Sequence, residues 1–159
     1  LPLDPPAAEA RTSLSVVLQA QGRLNEGMEH LRTAVQLKPK DDSVRFNLGG
    51  GLLATGQPEA AMREFRTAIA LNPENADAHF NLGVLLGPRN QVDDAIRHLT
   101  RVVEINPLNA EAYRNLAVAY GLQGRIDEAV TAAQAAVRLK PDSVPARTQL
   151  QQLLAARRR

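Results

Sequence analysis

The chain contains no cysteine and no tryptophan, and only five of its 159 residues are aromatic: Phe46, Phe65, Phe80, Tyr113 and Tyr120. Without cysteine there is no disulfide framework, no thiolate nucleophile and no zinc–thiolate site. With so few aromatics the core must be Leu, Val, Ile and Ala packed closely, which favours helices over a sandwich. No apolar run approaches the roughly 18 residues that a membrane span requires. Residues 1–6 lack the basic and apolar regions of a signal peptide. The first residue is Leu rather than Met, as expected of a chain that is processed or cut from something longer. The compartment stays open, because a removed leader would leave the same sequence.

Catalytic constellations are missing as well. His30, His79 and His98 are the only imidazoles. His79 is read as a packing residue at the start of a helix, and His30 and His98 as equivalent exposed sites. Asp94 and His98 are four apart, which suits one helical face, but two ligands without a third or fourth make a surface pair rather than a metal centre. Gly49, Gly50 and Gly51 fall inside a helical pattern without the lysine that a phosphate loop needs. No cofactor, no metal and no enzymatic activity of the chain by itself are expected.

Charge is low and unevenly placed. The net charge is +2; residues 1–143 carry 15 Lys/Arg against 17 Asp/Glu, while residues 144–159 carry Arg147, Arg157, Arg158, Arg159 and no acid. A neutral to acidic body with few aromatics argues against a nucleic-acid surface, which needs a basic stripe along one face. The arginine tail complements the negative end of a last helix and aids solubility.

What the sequence does have is a period. Pro39, Pro73, Pro107 and Pro141 stand 34 residues apart, and a fixed spacing of that length is the signature of a solenoid of helical units. Leu48, Gly49 and Leu52 recur as Leu82, Gly83 and Leu86, then as Leu116, Ala117 and Tyr120. Ala61, Phe65 and Ala68 recur as Ala95, Leu99 and Val102, then as Ala129, Ala133 and Ala136. Both sets lie on one helical face, so each unit holds two helices. Asp41, Asn75, Asn109 and Ser143 precede first helices and are suited to cap them, at roughly 1 kcal/mol each. Gly22, Gly56, Asn90 and Gly124 share the position between the helices, where a left-handed conformation ends the first one. Each proline pushes the residue before it out of helical geometry and closes the second helix.

The units are expected at residues 8–41, 42–75, 76–109 and 110–143, preceded by an extended segment, residues 1–7, and followed by a capping helix and basic tail, residues 144–159. The last helix would cover the fourth unit with Leu150 and Leu154 and show Thr148, Gln149, Gln152 and the arginines to water. Gly87 and Pro88 should stop the first helix of the third unit short, since a proline costs about 3 kcal/mol in a helix interior.

On these residues the chain resembles the tetratricopeptide repeat family. The second unit, with Leu48, Gly49, Ala61, Phe65, Ala68 and Pro73, matches its pattern best. The run Ala78, His79, Phe80, Asn81, Leu82, Gly83 looks most like the arrays of O-linked N-acetylglucosamine transferases and their bacterial relatives. The first unit departs from the pattern, with Arg11, Ser15 and Gly27 where an aromatic, Gly and Ala are usual. The resemblance implies an all-α, right-handed superhelical solenoid with a capping helix, and a concave groove lined by the first helices.

In that groove the sixth position of successive units reads Ser13, Asn47, Asn81, Asn115 and Gln149. An amide both donates and accepts, so such a ladder can hold the backbone of an extended peptide regardless of its side chains, at roughly 1 kcal/mol net per bond. Asn47, Asn81, Asn115 and Gln149 are therefore the expected backbone contacts, unless they bond neighbouring units instead. Phe46, Phe80 and Arg114 at the fifth position would supply selectivity, the aromatics alternatively serving packing and Arg114 serving either an acidic ligand or Glu111. Val16, Gly50, Val84 and Val118 complete an apolar floor. The family's carboxylate clamp for chaperone tails is not matched: Thr12, Val16, Asp77 and Asn81 stand at its positions, and only Asn47 fits. The expected function is a scaffold that binds a protein or peptide partner. Two other readings stand beside it: the substrate-recruiting part of a larger enzyme such as a glycosyltransferase, or a self-assembly module forming a weak homo-oligomer, its basic last helix docking on the acidic body of another copy.

Overall fold

The computed structural model describes residues 5–158, which form helices and turns with no strand among them. The helices are α1 (Pro5–Ala20), α2 (Leu24–Leu37), α3 (Asp42–Ala54), α4 (Pro58–Leu71), α5 (Ala76–Leu86), a 3-10 turn (Gly87–Arg89), α6 (Val92–Ile105), α7 (Ala110–Leu122), α8 (Ile126–Leu139) and α9 (Val144–Arg157). Residues 5–7, expected to be extended, already belong to α1; residues 1–4 and Arg159 lie outside the described residues.

Local chemistry sets the helix ends where the spacing placed them. The side chains of Asp41, Asn75, Asn109 and Ser143 accept hydrogen bonds from the backbone N–H of Val44, Ala78, Ala112 and Ala146. Each fills one of the four orphan donors of a helix start. Asn90 adopts φ 60°, alongside Gly22, Gly56 and Gly124 at 71–77°, so one left-handed turn links all four helix pairs.

By its internal contacts the chain divides into two units, Leu1–Ala78 and His79–Arg159. In the first, α1 packs on α2, α2 on α3 and α3 on α4. The closest approach is at Gly49, where a Cβ would lie 2.5 Å from the Phe65 ring; Gly51 meets Leu31 and Met28 in the same way. Phe65 and Leu31 are fully buried. The unusual residues of the first helix pair compensate one another. Ser15 is buried, its hydroxyl donating to the Thr12 carbonyl at 2.6 Å, and the missing side chain of Gly27 admits the Ser15 backbone, whose oxygen would lie 3.1 Å from a Cβ there. A small residue has moved from one helix of the pair to the other.

In the second unit Leu99, Leu116, Ala117, Ala132 and Ala133 form one core cluster, joined by Phe80, Ile96, Val103, Tyr113, Tyr120, Leu150 and Leu153. The cap contributes Leu150, as expected, and Leu153 to this cluster, and Leu154 is half-buried beside them on α9. Gly83 repeats the close approach, a Cβ there lying 2.8 Å from Leu99. Arg157 closes the end of α9 by an ion pair of 2.7 Å to Asp127 of α8.

Each helix pair also carries one cross-helix contact between residues 19 apart. Arg11 meets His30 at 3.4 Å, Arg45 donates to Glu64 at 3.1 Å, and the Nδ1 atoms of His79 and His98 share a hydrogen bond of 2.8 Å. In the last pair Tyr113 and Ala132 take these positions with apolar packing. The histidines read from sequence as exposed are therefore half-buried: His30 and His98 turn toward partners on the first helix.

Gly49→Val is expected to lower stability by about 1–3 kcal/mol, because the added branch overlaps the Phe65 ring. Gly50 has open space around its Cα, so Gly50→Ala should raise stability by about 0.5–1 kcal/mol through helix propensity alone; urea denaturation of both variants checks the pair. A second test concerns the N-terminal edge. The Lys38 ammonium donates to Glu9 at 2.8 Å and, through that bond and its charge, holds the Glu9 carboxyl below its usual range. The contribution of the bridge is complete above the ordinary glutamate range and lost as pH falls through the depressed value. Thermal melts should show a smaller drop between neutral and acid pH for Glu9→Gln than for the parent chain.

Candidate functional site

The expected site residues fall in both units, and each unit presents its own hollow. In the first, Thr12, Ser13, Ser43 and Asn47 line a polar depression of about 420 Å³, with Glu9 and Asp41 at its edge. The Asn47 side chain donates to the Ser43 carbonyl of its own helix at 2.7 Å. Phe46 is half-buried with its ring 5.8 Å from that of Phe65, so packing rather than an open pocket accounts for most of it.

The second unit holds a more apolar site, created by a break in the repeat. α3 and α7 run 13 residues, but α5 stops after 11, since Pro88 has no amide to donate and Gly87 favours no helix. The chain turns as a 3-10 segment instead. The missing turn leaves a hollow of about 240 Å³, bounded by Gly83, Val84, Pro88, Asn115, Val118 and Leu122. Val118 and Leu122 also line a second hollow, of about 530 Å³, between α7 and α9, with Arg114, Pro145, Gln149 and Leu153. Together the two make an apolar trough along α7, with Leu122 at 64% and Val118 at 44% exposure.

Polar groups edge this trough. Asn115 donates from its side chain to the Glu111 carbonyl at 2.8 Å, a bond within its own helix that leaves the amide oxygen as an acceptor for a ligand. The Arg114 guanidinium donates to Glu111 at 2.8 Å, one of the two partners the sequence left open for it. Gln149, expected to face water, is half-buried. Its Nε2 donates to the Arg114 carbonyl at 3.1 Å and ties α9 to α7, while its Oε1 is buried with no partner among the described residues. Asn81 and Phe80 sit on α5; Phe80 packs against the core of this unit.

Leu122 and Pro88 line this hollow but were not among the residues expected from the sequence. Both occupy the thirteenth position of their repeats, one of those that face the groove in this family, so the signal was in the register. Among the described residues no group of three or more His, Asp or Glu side chains could hold a metal ion, and no helix is long and apolar enough to cross a membrane.

Residues 7–38, 52–87 and 89–144 each match a tetratricopeptide repeat family, and together these matches span most of the chain. The chain belongs to the tetratricopeptide repeat family. Solved structures agree on the fold. MamA from Desulfovibrio magneticus RS-1 is 23% identical with a TM-score of 0.86, covering 95% of this chain and 85% of that one. PilF of Pseudomonas aeruginosa is 20% identical with a TM-score of 0.85, covering 96% and 70%. YrrB, described as a tetratricopeptide repeat protein with an unusual peptide-binding site, is 24% identical with a TM-score of 0.76, covering 90% and 74%. No curated protein matches the sequence. These likenesses establish the repeat class; the finer resemblance of residues 78–83 to glycosyltransferase arrays stays an expectation from the sequence.

Because Asn115 bonds only its own helix among the described residues, it has little to do for stability. Asn115→Ala should shift the unfolding free energy by no more than about 0.5 kcal/mol, as read by chemical denaturation.

Proposed function

We propose that the chain is a non-catalytic interaction module that holds an extended segment of a partner protein, with the α7 trough of the second unit as its main site. The observation that carries this reading is the trough itself: the exposed aliphatic side chains of Val84, Val118 and Leu122 with Leu153 of α9 beside them, opened by the early end of α5 and edged by amides. Surface aliphatics of this size usually cost solubility unless a ligand covers them, and a groove with a few placed polar groups is the common form of a peptide site. Val84, Val118 and Leu122 would receive apolar side chains. Asn81 and Asn115 would pair with the peptide backbone, with Asn47 offering the same chemistry on α3. Arg114, held by Glu111, and Gln149, tied to the α7 backbone, would shape the rim and bias selectivity. The repeat class supports a protein-interaction role, and YrrB is a tetratricopeptide repeat protein described as binding peptide.

Selection from a random peptide library tests the reading. Leu122→Asp places a charge in the trough without touching a buried residue, and the Asn47→Ala, Asn81→Ala, Asn115→Ala triple variant removes the amides. Peptides kept by the parent chain should bind each variant about tenfold or more weakly, with helicity and melting cooperativity unchanged. Equal enrichment by parent and variants, or none by either, would move the function away from the trough.

A further inference from the structure

A separate hollow opens where the fourth helix pair runs short of side-chain bulk. At the positions where the earlier second helices carry His30, Glu64 and His98, α8 carries Ala132; where they carry Thr33, Thr67 and Arg101, it carries Ala135. The lost volume leaves a hollow of about 390 Å³ between α6, α7 and α8, walled by Val103, Leu116 and the two alanines and bordered by Tyr113 and Tyr120. It shares no lining residue with the α7 trough. Three hydroxyl-bearing side chains line it, Thr100, Tyr113 and Tyr120, and none of these hydroxyls is hydrogen-bonded among the described residues. Every other threonine of a second helix, Thr33, Thr67 and Thr131, returns its hydroxyl to a carbonyl of its own helix. Charge divides the two ends of the α8 wall. Glu128 is paired with Arg125, which also stacks over the Tyr120 ring at 4.6 Å, while Arg138 has no acidic partner among the described residues.

We propose that this hollow binds a small aromatic carboxylate. Its volume lies in the range of roughly 300–1,000 Å³ usual for small-molecule sites, and an apolar wall with a few converging polar groups is their usual make-up. Helices bound it on three sides, which suits a compact ligand rather than an extended chain. The two tyrosine rings offer faces and edges to an aromatic body. The phenols and the Thr100 hydroxyl supply donors that no other group of the chain uses. The charge of the lining selects an anion, because Glu128 is neutralised by Arg125 and Arg138 is the cation left unpaired. A guanidinium holds a carboxylate through two parallel bonds, each stronger than one from a neutral donor. Arg138 also stands in the last turn of α8, where a positive charge complements the negative helix end; that role needs neither the hollow nor the tyrosines beside it. The hollow and the trough are independent, so the two proposals stand or fall separately.

Phenylpropionate serves as the probe, titrated into the full chain and read by isothermal calorimetry, with the uncharged phenylpropionamide as its control. Saturable binding of the acid is expected, weakened about tenfold or more by Arg138→Gln. The Tyr113→Phe, Tyr120→Phe double variant, which removes two hydroxyls and keeps the rings, should weaken it about tenfold. The amide should bind the parent chain about tenfold more weakly than the acid, and equally to the parent and to Arg138→Gln. Leu122→Asp should leave the affinity for the acid unchanged. Circular dichroism should show the variants folded, since Arg138 is exposed and the phenols bond nothing in the chain. Absence of saturable binding overturns the proposal, as does binding of the acid that either Arg138→Gln or the phenylalanine variant leaves unchanged. Binding lost in Leu122→Asp would put the acid in the trough and overturns it as well.

Discussion

The structure depends on how closely two helices of a pair can approach, and small residues set that distance. At Gly49 and Gly83 the absent side chain lets a Phe or Leu ring or branch of the facing helix sit within 3 Å of where a Cβ would be. Dispersion falls off steeply with separation, so a single methyl at this point would forfeit contacts along the whole pair. Where the pattern departs, the distance is preserved by other means. Ala117 serves in the last pair opposite a helix lined with Ala129, Ala132, Ala133 and Ala136. Ser15 serves in the first, with Gly27 as its complement and its hydroxyl returned to the backbone.

Once that spacing is met, the outward positions become free to vary, and they do. The contact between residues 19 apart is an arginine with a histidine, an arginine with a glutamate, two histidines, or a tyrosine with an alanine, all in one geometry. Their chemistry differs because at least one member of each pair is only half-buried, where either polar bonding or apolar packing satisfies the site. The fold thus tolerates change at these positions far better than at the small residues behind them.

The regularity of the repeat fails in its third unit. Gly87 and Pro88 cannot continue α5, and the lost turn opens the trough that α7 lines with Val118 and Leu122.

Much of this was legible in the residues themselves. The proline spacing, the four capping side chains and the left-handed turn positions are local signals, decided by backbone geometry within a few residues, and each appears in the structure where the spacing put it. The early end of α5 belongs with them, because a missing amide acts on its own turn. The roles of individual site residues were not legible. Phe46 and Phe80 could as well anchor a ligand as pack, and only the positions of Phe65 and the second core show the packing. Gln149 looked solvent-facing on its own helix, yet the approach of α9 to α7 turns it into a tie to the Arg114 carbonyl. His30 and His98 read as surface residues until the helix pairing set partners opposite them. Period, helix boundaries and turn chemistry follow from short-range sterics and hydrogen bonding, so the sequence alone determined them. Which half-buried side chain meets a partner and which meets water depends on contacts between residues far apart in the chain, and only the packed tertiary structure decides that.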